Sequence, residues 1–68
     1  MTVLVQHYNL NRELDCELVE INGTVYHRPN PWTPRKSVSE EEFVAIASDY
    51  MQDEDVEEAV QTHFGVSA

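Results

Sequence analysis

An Asn22-Gly23 pair stands between two runs of alternating apolar and polar residues, and no other feature of this chain limits its fold so tightly. A two-residue hairpin loop of type I′ needs positive φ at both central positions, which Asn-Gly accepts at low steric cost. Such a loop also sets register. It pairs Ile21 with Thr24, Val19 with Tyr26, Leu18 with His27 and Glu17 with Arg28, and the last pair places opposite charges across from each other. Strands over Leu14–Ile21 and Thr24–Arg28 follow. Because strand side chains alternate, Leu14, Cys16 and Leu18 fall on one face and Asp15, Glu17, Val19 and Ile21 on the other. Asn22-Gly23-Thr24 has the form of a glycosylation sequon. The N-terminus carries no basic segment and its apolar run ends after five residues, which does not read as a secretory signal, and the turn accounts for the same residues.

Upstream, Thr2–Leu10 is rich in Val, Leu and Tyr and reads as a further strand, closed by the polar cluster Asn9–Glu13. Downstream, Pro29, Pro31 and Pro34 forbid helix and favour extended geometry, so the sheet is expected to end at Arg28. Ser39 then opens a helix, with Glu42 completing a capping box and Val38 facing Phe43 as a hydrophobic staple. Phe43, Ile46, Ala47, Tyr50 and Met51 recur at helical spacing, an apolar stripe that requires a cover. Asp53 or Asp55 can cap a second helix carrying Val56, Ala59, Val60 and His63, with Gly65 closing it. The order predicts an α+β domain: a three-stranded antiparallel sheet (1–28), a Pro-rich linker (29–38) and two acidic amphipathic helices (39–68) packed on one face.

A 68-residue chain builds one small core worth about 3–5 kcal/mol, so a homodimer or a stable complex with a larger partner is a natural expectation. Cys16 is the sole cysteine, which excludes an internal disulfide and fits a reducing, cytoplasmic setting. No apolar run approaches the roughly 20 residues of a spanning helix. The net charge of −9 repels nucleic acid and anionic membrane alike, leaving a basic protein as the complementary partner. Its distribution is more telling. Residues 1–39 hold four acids and all four bases, Arg12, Arg28, Arg35 and Lys36; residues 40–68 hold the other nine acids and no Lys or Arg.

Catalytic chemistry finds little footing. Cys16 lies between Asp15 and Glu17, and carboxylates disfavour the thiolate that a nucleophile needs. His7, His27, His63 and Cys16 show no paired metal-ligand spacing. His63 suits the negative pole at a helix end. The abundant carboxylates belong to outer helix faces rather than a shaped cleft. The chain therefore reads as a non-enzyme without catalytic, cofactor or metal residues. Pro31-Trp-Thr-Pro34-Arg-Lys36 has a form that docks in aromatic grooves of adaptor domains. Trp32 either folds over the sheet edge to close the core or stays exposed as a binding anchor.

The acidic half has a partial structural account, since acids near the first turn of each helix gain from the macrodipole. That does not explain the lack of Lys and Arg in the last turns or of i, i+4 partners. Two helices about 20 Å long would face about 12 charges on duplex DNA of that length, so nine carboxylates could compete for a Lys- and Arg-lined groove if they share a face. Val5-Gln-His-Tyr-Asn-Leu10, the Asn22-Gly23 hairpin and the acidic Asp53-Glu-Asp-Val-Glu-Glu58 together resemble the small accessory proteins encoded by tailed bacteriophages. Such proteins often inhibit host machinery, among them acidic anti-restriction and anti-CRISPR proteins that imitate nucleic acid. The resemblance implies an inhibitor acting in the cytoplasm of a bacterial host and carries no functional residue across. The leading expectation is a non-enzymatic inhibitor whose acidic helices occupy a basic, nucleic-acid-binding partner. Its contacts would be Glu41, Asp49, Glu54, Glu57 and Glu58, with Tyr50 and Trp32 as apolar anchors. The alternative is a structural or assembly protein that joins identical subunits.

Overall fold

In the computed structural model, which describes residues 1–65, Asn22 and Gly23 both take positive φ, 52° and 85°. The Glu20 carboxylate accepts a hydrogen bond from the Gly23 amide at 2.6 Å, which fastens the turn further. β2 (Leu14–Ile21) and β3 (Thr24–Arg28) run antiparallel from it. The register is the one that the two-residue turn requires, from Ile21 opposite Thr24 to Glu17 opposite Arg28.

β1 (Thr2–Tyr8) pairs with β2 and ends two residues earlier than the apolar run suggests. Asn9 stops it: its side-chain oxygen accepts from the amides of Asn11 and Glu13, and Arg12 turns the chain with φ 63°. Leu10 is left fully exposed in that turn. Register shifts near Leu4 and Asp15 mark irregularities at both ends of the β1–β2 ladder.

The sheet has four strands rather than three. Lys36–Ser37 forms β4, antiparallel to the free edge of β3, and the Val38 amide donates to the Val25 carbonyl at 3.0 Å. Past Pro34 the backbone regains its N–H donors, so it can pair where the preceding prolines cannot. Residues 29–35 thus return the chain to the sheet at β4, so 29–38 is not a linker leaving it.

α1 (Glu40–Ala47) begins with the expected capping box: Ser39 Oγ accepts from the Glu42 amide, and the Glu42 carboxylate accepts from the Ser39 amide. It is shorter than the apolar stripe implied. Ser48 Oγ donates to the Val44 carbonyl at 2.6 Å, and Tyr50 and Met51 lie in the turn that follows. α2 (Asp53–Phe64) is preceded by Gln52 at the N-cap, which makes no side-chain cap. Neither Asp53 nor Asp55 caps it; both sit in the first turn, beside the positive end of the dipole. Gly65 ends the helix in the left-handed region at φ 62°.

One hydrophobic cluster joins the two halves. Val5, Cys16, Leu18 and Val25 from one sheet face meet Phe43 and Ala47 of α1 and Val56 and Ala59 of α2. The Phe43 and Phe64 rings, 5.4 Å apart and tilted, tie the helices together. Both helices thus cover the same face, as expected. The opposite face holds the row Val3, Val19 and Tyr26 across three strands. Val19 is fully buried within it.

Candidate functional site

Burial separates the acids of this chain into two kinds. Glu17 is only 5% exposed, and its carboxylate accepts from Arg35 Nε at 2.8 Å. The register places it opposite Arg28, but Arg28 turns its guanidinium to the Asn30 and Pro31 carbonyls instead. The expected cross-strand charge pair is therefore correct in backbone register and replaced at the side chains by a partner 18 residues away. Glu17 and its ion pair were not anticipated. The one available signal was an acid in the middle of the central strand.

The nine acids after residue 39 behave differently. All nine are exposed, and among the described residues none takes part in a salt bridge. Glu54, Glu57 and Glu58 stand three and four residues apart on α2, so they share a helix face. Glu41 lies three residues before Val44 on α1. Val44 and Ser48 of α1, together with Asp53, Val56, Glu57 and Val60 of α2, line an open groove of about 320 Å³ between the helices. Asp53 and Glu57 are the acids in that lining; Glu41 shares the side of α1 that carries Val44, and Glu54 and Glu58 lie one step round α2.

Asp49 and Tyr50 lie elsewhere. Both fall in the turn after α1, where the Tyr50 ring packs 5.1 Å from His7 of β1. Burial first, and then the negative charge of Asp15, push the Cys16 thiol above its ordinary range, with Asp49 and Glu17 adding to the rise. A thiol held protonated in this way is unsuited to nucleophilic attack. His7 Nδ1 lies 3.4 Å from an Asp15 carboxylate oxygen at the surface. No group of three or more His, Cys, Asp or Glu side chains suited to a metal ion occurs among the described residues.

Trp32 is 77% exposed and does not fold over the sheet edge. The β3–β4 loop holds it outward: the Asn30 side-chain oxygen accepts from the amides of Trp32 and Thr33 and from the Thr33 hydroxyl, while Arg28 clamps the carbonyls of Asn30 and Pro31. That turn conformation differs from the extended polyproline shape that adaptor-domain grooves accept. Of the seven residues expected to bind a partner, Glu57 lines the groove, Glu54 and Glu58 stand beside it on α2 and Glu41 is on α1, while Asp49, Tyr50 and Trp32 lie in turns outside the helices.

No helix among the described residues is long and apolar enough to cross a membrane. No protein-family model, curated protein or solved structure matches this chain.

Proposed function

We propose that this protein is a non-enzymatic binding protein, of the kind phages use as inhibitors, whose acidic helices occupy a basic surface on a nucleic-acid-binding protein. One observation carries the reading: nine exposed acids on the helical half, with no Lys or Arg after residue 39 and, among the described residues, none of the nine in a salt bridge. Like charges kept this close raise the free energy of the isolated chain, and a cationic partner relieves the cost. Glu54, Glu57 and Glu58 form the main contact, supported by Glu41.

Charge reversal tests this directly. Immobilised protein should retain a basic partner from a bacterial lysate, and Glu54→Lys, Glu57→Lys and Glu58→Lys together should abolish that retention. Undiminished binding by the triple variant would sink the proposal.

A second reading has its own observation. β1 is an edge strand, and Val3 and Tyr8 on it are about half exposed, which suits pairing with an identical subunit. A mass by light scattering that rises with concentration would favour that assembly role.

A further inference from the structure

The groove between α1 and α2 has a chemistry that repulsion among acids does not explain. Val44 on α1 remains 38% exposed, and faces Val56 and Val60 on α2 across about 320 Å³ of open space. Asp53 and Glu57 are part of the same lining, and Glu41 shares the side of α1 that carries Val44. The result is an apolar floor with an anionic rim. A duplex presents phosphates around polar grooves, so a pure charge imitation of nucleic acid needs no valine floor.

We infer that this groove receives an amphipathic helical segment of the partner, one whose apolar face fills the valine floor while flanking Lys or Arg side chains meet the acidic rim. The inference rests on the proposed acidic binding surface and specifies how that surface is read. Helix-in-groove recognition uses apolar anchors at i, i+3, i+4 and i+7. A volume of about 320 Å³ is at the lower limit of small-molecule sites, and suits a few aliphatic side chains entering from one open side. Charge complementarity selects the occupant: with nine acids and no Lys or Arg on this half, an acidic or neutral apolar helix gains nothing from the rim, and a basic one gains at every turn.

The test uses two labelled synthetic peptides of identical Lys, Ala and Leu content, followed by fluorescence anisotropy at about 0.1 M salt, where exposed charges act only over a Debye length of about 10 Å. One carries Leu at i, i+3, i+4 and i+7; in the other the Leu residues are scattered around the helix. The amphipathic peptide should bind about tenfold more tightly, and Val44→Glu should remove that advantage. Val44→Glu adds negative charge beside the groove, so electrostatics alone would strengthen binding of a Lys-rich peptide; weakening therefore reports the apolar floor. Val44 is exposed enough for the variant to fold, which far-UV circular dichroism checks, and the peptide comparison on the unaltered protein stands independently. Equal affinity for the two peptides, or undiminished binding by Val44→Glu, overturns the groove while leaving the acidic surface intact. Failure of both peptides to bind removes the groove and the acidic surface together.

Discussion

Replacing Glu57 and Glu58 together by Gln should make the protein more stable while weakening its proposed contact. Residues three and four apart on a helix are neighbours, so Asp53 with Glu57, Glu54 with Glu57, Glu54 with Glu58 and Asp55 with Glu58 form four like-charge pairs on α2. Each pair costs about 0.2–0.5 kcal/mol, and the double substitution relieves all four, about 1–2 kcal/mol in total. Little is lost in return. Glu57 and Glu58 lie beyond the first turn, where Asp53, Glu54 and Asp55 gain from the dipole, and Gln has nearly the helix propensity of Glu. A chain of this length has a total stability of about 3–10 kcal/mol, so the gain is a visible fraction. With a urea dependence of about 1 kcal/mol per molar, the unfolding midpoint should rise by about 1–2 M in 10 mM salt. In 0.5 M salt the gain should shrink as the repulsion is screened. No gain at low salt, or a gain indifferent to salt, would show that the acids are not held in mutual repulsion and would remove the main argument for a cationic partner.

Other consequences concern the scaffold. Gly23→Ala places a side chain at φ 85° and should cost about 1–2 kcal/mol in urea unfolding, since left-handed backbone disfavours Cβ. Arg35→Ala removes the partner of buried Glu17 and should lower the thermal midpoint, with Glu17→Gln in the same chain restoring part of the loss. Cys16 should react with a thiol reagent at pH 8 only as fast as the protein opens. Because burial raises its folded pKa above 9.0, its contribution to stability is complete below about pH 9 and declines above it. Burial lowers the pKa of His27 below 6.5; the unfolded chain binds that proton first, so stability should fall as pH drops below about 6.5, checked by following the His27 ring resonances and the urea midpoint together.

The hairpin was legible because a two-residue turn leaves no freedom: once Asn22 and Gly23 adopt positive φ, every pair down to Glu17 and Arg28 follows. The start of α1 was equally clear, since Ser39 and Glu42 satisfy each other's backbone groups. β4 was hidden because two residues show no alternation, and the prolines before it suggest an exit from the sheet. The end of α1 was hidden because Tyr50 and Met51 continue the apolar spacing in a turn where they still pack inward or near Cys16. Side-chain partnerships were hardest. Arg28 and Arg35 are equivalent by composition, and only the path of the β3–β4 loop gives Glu17 to Arg35. The acidic half was plain as a run of residues; its division into a groove rim on α2 and a separate Asp49 beside Tyr50 depends on where α1 stops.

The most direct test of the central claim is affinity capture from a bacterial lysate on the immobilised protein, eluted along a salt gradient and read by mass spectrometry. The account expects a basic, nucleic-acid-binding protein that leaves at moderate salt, because exposed ion pairs are screened there. Recovery of only the chain itself, or of an apolar partner that persists through high salt, would contradict it.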